Sequence, residues 1–230
     1  MAGSARELII EAAERLFAQR GIAAVSLREI SAAANQRNTS AVQYHFGSKH
    51  RLIEAIHLYR LQAINERRLA LLADLERAGR ADDLRSLVEA MICPLAEFLH
   101  AGSCYARFAA QTVGDPEHSR VLSFRIGSRD AMRLVNMRAA SLLRGLDPEL
   151  CLQRLLFAAR MWLGALAEQE RRQETGQTDM PTPALAAELV ELVTAMLTAP
   201  VAAVTRRAMA VRMKAAPRRT ARRKARRSAR

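Results

Sequence analysis

Between Asn38 and Phe46 the chain places Thr39, Ser40, Gln43, Tyr44 and His45, a run rich in hydrogen-bonding side chains. Only Ala41, Val42 and Phe46 in that run are inward residues by type. Such a set suits the reading of base edges. Gln can offer adenine a bidentate contact, and small hydroxyl side chains let a helix approach a groove closely. The alternative is an ordinary helical hairpin with a solvated face. No second constellation competes for chemistry. His45, His50, His57, His100 and His118 form no ligand cluster with the cysteines, and His57 is expected on a helix surface. The sequence holds no glycine-rich phosphate loop, no nucleophile elbow and no zinc signature, so neither enzyme, metal nor cofactor is expected.

The elements that must hold this run are legible from local signals. Ser26 with Glu29 makes a Ser-x-x-Glu capping box, which satisfies two orphan N–H groups at a helix start. Leu27, Ile30 and Ala34 follow as a narrow buried stripe. Asn35 stands where the chain must turn, and Asn tolerates the left-handed conformation better than most residues. Two short helices joined by a turn over 26–46, the second bearing the polar run, match a helix-turn-helix whose second helix enters the major groove. Ahead of them, Ser4 and Glu7 form a second capping box and Gly21 sits at a helix C′ position, which predicts a helix over 4–20. Its stripe is Leu8, Ala12 and Leu16, with Ile9, Ala13 and Phe17 beside it. After the pair, Ser48 caps a long helix that runs toward Gly79 and bridges this head to the rest of the chain.

Composition sets the class of the remainder. Half of the 230 residues are hydrophobic but only 4% are aromatic, and Ala, Leu and Arg outweigh β-branched residues, which favours helices over strands. The spacing predicts helices over 82–101, kinked at Pro94, over 103–113, over 148–172 and over 183–199. Asp115-Pro116, Asp147-Pro148 and Thr182-Pro183 each place a capping residue before a proline at the first helical position, and Gly127 interrupts the region between the first two. No strand pattern exists, so the fold class is all-α. The net charge of +13 is concentrated at one end: residues 206–230 carry 12 Arg and Lys and no acid, leaving 24 basic against 23 acidic residues before them. Cys93, Cys104 and Cys151 are odd in number and without metal-like spacing, which predicts reduced, buried thiols in a cytosolic protein. No uncharged apolar run of about 18 residues exists, so neither a membrane span nor a signal peptide is expected.

Taken together, Phe17-Ala18-x-x-Gly21, Ser26-Leu27-Arg28-Glu29-Ile30 and Tyr44-His45-Phe46-Gly47-Ser48-Lys49 make residues 4–60 resemble the DNA-binding head of the TetR family of bacterial transcriptional regulators. The chain departs from that family in having Asn35 where Gly is usual, and in a turn one residue longer, with Gln36-Arg37 before Asn38. The resemblance implies a DNA-binding domain at 4–64, a helical ligand-binding and dimerisation domain at 65–205, and a basic tail at 206–230. It places Ser26 and Arg28 near phosphates and has Asn38 cap the recognition helix. Thr39, Ser40, Gln43 and Tyr44 would face base edges or phosphates. Lys49 would contact a phosphate, and so would His45, which stands where the family commonly has Tyr. Arg37 in the lengthened turn is added as a DNA contact.

The resemblance further implies a cytoplasmic homodimer on double-stranded operator DNA, most often a repressor, released by a small-molecule effector. Helices 148–172 and 183–199 are apolar on more than one face and supply a four-helix dimer interface. The effector pocket would lie among helices from about 60 to 172, with Met91, Phe98, Phe108, Phe124, Met132, Met137, Phe157 and Trp162 as candidate lining for a lipophilic ligand. At the far end, Arg pairs recur every four residues from Arg218 to Arg230. Repulsion at that spacing opposes a helix, so a disordered, phosphate-binding tail is expected after a basic amphipathic helix over 201–214. Two rival functions remain at this point: a sequence-independent DNA-coating protein driven by the tail, and a redox sensor using Cys93 or Cys104.

Overall fold

Every described element is an α-helix. The structure, a computed structural model, describes residues 4–36, 38, 40–100, 102–114, 131–177 and 180–215. Helix α1, Ala5–Arg20, begins with both halves of the expected capping box: Ser4 N donates to Glu7 Oε2 at 2.8 Å, and Glu7 N donates to Ser4 Oγ at 3.3 Å. It stops at Gly21, whose φ of 89° a side chain would resist. The buried face is Ile9, Ile10, Ala13 and Phe17, while Leu8 is exposed, so the core stripe lies one residue round from the Leu8–Ala12–Leu16 line. Helix α2, Leu27–Ala33, has the second capping box, and Asn35 adopts φ 53°, the only positive φ outside glycine among the described residues. Helix α3 is short, Ala41–Phe46, and α4 is long, Lys49–Arg77, with Ser48 Oγ accepting from Arg51 N at its start.

Beyond α4 come α5, Leu84–Ala96, α6, Tyr105–Gly114, α7, Ala131–Leu142, α8, Pro148–Glu174, α9, Thr182–Thr198, and α10, Ala203–Ala215. Helix α5 is shorter than its expected span of 82–101. It contains Pro94, and its last turn tightens, with Phe98 N and Leu99 N bonding three residues back to Leu95 O and Ala96 O. Asp147 caps α8 as its sequence predicts, accepting from Glu149 N and Leu150 N. Thr182 does not cap α9: Pro181 holds that position. The Thr182 hydroxyl instead accepts from Gln173 Nε2 at 2.8 Å and Gln169 Nε2 at 3.3 Å, tying α9 to the end of α8. The helix start expected at Asp115-Pro116, the break at Gly127 and the arginine-rich end from 216 lie outside the described residues.

Packing joins head to body. One connected hydrophobic cluster runs from Ile9 in α1 to Leu197 in α9, and α6 sits between α1 on one side and α8 on the other. The boundary expected at residue 64 falls inside α4, which passes it unbroken with Ile64 buried. Helix α9 packs on both α5 and α8. Helix α8 is long and apolar enough, by length and composition alone, to cross a membrane, and only 28% of its apolar window is buried. Its outward Phe157 is 53% exposed, with Leu192 of α9 at 47%.

Candidate nucleic-acid interface and interior cavity

The outer face of α3 presents Gln43, Tyr44 and His45, all exposed, over an inward row of Ala41, Val42 and Phe46. Tyr44 is 84% exposed and its ring meets His45 edge-on at 5.2 Å. The turn is built one step differently from the sequence expectation. Asn38 does not occupy the cap position of α3; its Oδ1 accepts from Ser40 N at 2.8 Å, and Ser40 is the cap, with no side-chain bond of its own. An Asn side chain that bonds two residues ahead fixes a turn rather than a helix start. Arg37 and Thr39 lie outside the described residues.

At the start of α2, Ser26 and Arg28 are exposed. Glu29 is held by hydrogen bonds from the Ser26 hydroxyl and backbone N–H and from Arg20, which bring its carboxyl down to about 2. Lys49 is engaged within the chain itself. Its Nζ donates to Val25 O at 2.6 Å and lies 5.5 Å from the centre of the Phe17 ring, and burial lowers its pKa. The ammonium therefore fastens the start of α4 to the loop before α2, a use the local sequence gives no hint of.

Inside the body, residues of α4 to α8 line a partly open cavity of about 330 Å³. Met91, Met132 and Trp162 line it, as the sequence suggests. Four of the other five candidates do not line it. Phe108 is fully buried in the core, stacked on Phe17 at 6.1 Å, rather than on the wall. Phe98, Met137 and Phe157 are 40%, 60% and 53% exposed on the outside. Residue type alone could not assign their faces: Met132 and Asn136, four apart, share the wall, and Met137 is a further 100° round the helix. Phe124 lies outside the described residues.

The polar part of the wall was not visible in the sequence. His57, expected at the surface, is 3% exposed, with Nδ1 2.9 Å from the Tyr105 hydroxyl and Nε2 3.1 Å from Thr112 Oγ1. Thr112 Oγ1 donates its single proton to Ala109 O at 2.8 Å, so it accepts from His57 and Nε2 is the donor. Arg68, 1% exposed, donates from Nε to Ala90 O at 2.9 Å, from Nη1 to Asn65 Oδ1 at 2.6 Å and from Nη2 to Met91 O at 3.4 Å, stapling α4 to α5.

Two further groups couple the head to the body. Gln111 of α6 donates from Nε2 to Phe17 O at 2.8 Å and accepts from Ile22 N at 3.1 Å, gripping the end of α1. Glu14 of α1, 1% exposed, accepts from Arg60 Nε at 2.7 Å and from Cys104 Sγ at 3.4 Å, and burial raises its carboxyl pKa despite the arginine. Burial also pushes the Cys93 thiol to about 11 and the Cys104 thiol to about 12. Both stay protonated at neutral pH, contrary to what a thiolate sensor requires. No group of three or more His, Cys, Asp or Glu among the described residues is placed to hold a metal ion.

Comparison with known proteins places this head. Residues 9–56 match the family described as bacterial regulatory proteins, tetR family. No curated protein matches the chain. Similar solved structures include the TetR family transcriptional regulator PfmR from Thermus thermophilus, 20% identical over 87% of this chain and 100% of that one, with a TM-score of 0.49. A TetR-like transcriptional regulator from Rhodococcus sp. RHA1 is 21% identical, over 87% of this chain and 100% of that one, with a TM-score of 0.49. The matched residues, 9–56, carry the capped start of α2 and the exposed face of α3, so this stretch is a TetR-type helix-turn-helix head.

Proposed function

We propose that the chain is a ligand-responsive repressor that binds a palindromic operator as a homodimer and is released when a small apolar effector enters the α4–α8 cavity. The observation that carries this reading is a continuous packed path from α3, whose outer face is polar and exposed, to the cavity, through α2, α1 and α6. Gln43, Tyr44, His45 and Ser40 read the groove in this proposal, with Arg37 and Thr39 beside them. Ser26, Arg28, Asn38 and Lys49 set the register through the backbone, since phosphate contacts position and base contacts specify. Residues 4–64 act as the reading head and 65–205 as the sensing and dimerising body.

The dimer is supported by the apolar surface left open on α8 and α9, where Phe157 and Leu192 face outward. Two copies would cover that surface in a four-helix contact and present two heads to successive major-groove half-sites. The effector would act through its difference in affinity for two head spacings, the only means by which a ligand shifts such an equilibrium. The basic end from 206 would add sequence-independent, salt-sensitive attraction to DNA in the cytoplasm.

Selection of random DNA duplexes by full-length protein and by residues 1–205, at moderate salt, tests this. Recovery of one inverted repeat by both supports the site-specific dimer. Retention of DNA by the full-length protein alone, without a motif, would replace it with a coating protein driven by the tail.

A further inference from the structure

Deepening the effector reading on which it rests, we infer that the cavity takes an uncharged, largely apolar molecule carrying one carbonyl or hydroxyl group, and that Asn136 reads that group. Asn136 stands on α7 one turn from Met132, and both line the cavity. Its carboxamide offers two donors and an acceptor, yet it makes no hydrogen bond among the described residues, although the residue is half-buried. The other polar groups of the wall already engage protein atoms: Thr112 with Ala109 and His57, His57 with Tyr105, and Arg68 with Ala90, Asn65 and Met91. Asn136 is the group left, among the described residues, to meet a ligand.

Charge and size narrow the class. The described wall contains Arg68 and no carboxylate, so a cation would face repulsion with no acid among the described wall residues to balance it. An anion would have to draw Arg68 away from the two α5 carbonyls and the Asn65 amide that hold it between α4 and α5. Most of the surface is aliphatic or thioether, with Leu61, Ile64, Met91, Met132 and Leu163 around Trp162. At about 330 Å³ the space is at the small end of ligand sites.

The chain has a single tryptophan, Trp162, and it lies on this wall, so its emission reports occupancy of the cavity. Decan-2-one, decanoate and decylammonium share a chain and differ in charge; each is titrated into the full-length protein at neutral pH. The ketone is expected to change Trp162 emission at about tenfold lower concentration than either ion. Asn136→Leu is expected to weaken the ketone about fivefold, the worth of one hydrogen bond, with its unfolding midpoint unchanged because Asn136 bonds none of the described residues. Tighter binding of either ion, or full ketone affinity in Asn136→Leu, overturns this inference and leaves the effector site standing. If none of the three compounds perturbs Trp162, this inference falls and the effector reading of the cavity falls with it.

Discussion

Gln43 and Lys49 illustrate how differently two predicted contacts can be made. Gln43 sits on the exposed face of α3 and its side chain bonds none of the described residues, so its amide is available for a base edge. Gln43→Ala is expected to cost about 1–3 kcal/mol on the cognate half-site and little on random DNA, measured by titration of both duplexes. Equal losses on the two would remove Gln43 from base reading. Lys49 is already bonded to Val25 O, so any phosphate contact must share its ammonium with that carbonyl. Local residue roles such as the Ser26–Glu29 box and the Asn35 turn were readable because partner and signal lie within a few positions. His57 and Glu14 were not, because their partners lie far along the chain, 48 and 55 residues away for His57 and 46 and 90 for Glu14.

At the scale of elements, α6 is the link between cavity and head. Tyr105 and Thr112 face the cavity, Phe108 stacks on Phe17, and Gln111 grips the end of α1 from the same ten-residue helix. Movement of α6 by a ligand would therefore be felt at the head without passing through α4. Gln111→Leu leaves Ile22 N–H without its acceptor in a half-buried site, and is expected to destabilise the protein by about 1–2 kcal/mol in denaturant unfolding. An unchanged midpoint would show that water replaces the clamp. Glu170 performs a similar task from α8, accepting from Ala106 N, Arg107 N and Ser103 Oγ, and so supplies the start of α6 with the acceptor its own sequence lacks.

For the whole molecule, the question is what covers the outer face of α8. An amphipathic helix of that length with only 28% of its apolar window buried and Phe157 standing out from it calls for a partner surface. Phe157→Glu places a charge in the proposed interface, on a residue whose side chain is exposed in the single chain and so contributes little to its fold. Sedimentation of this variant is expected to show a monomer at concentrations where the unaltered protein is a dimer, with operator affinity reduced by more than about tenfold. A dimer that persists would move the interface elsewhere.

The sequence by itself determined the helical class, the ends of α1, α2 and α8, and the head with its polar α3 face. All of these rest on capping chemistry, turn conformation and short-range periodicity, which act within one or two helical turns. The tertiary structure alone decided which apolar side chains face the cavity and which face outward, since Met132 and Met137 or Phe108 and Phe157 are alike by type and differ only in the neighbour each meets. It also decided that His57, Glu14 and Arg68 are interior groups, because burying a polar side chain depends on partners brought in from other helices, and no local pattern encodes them.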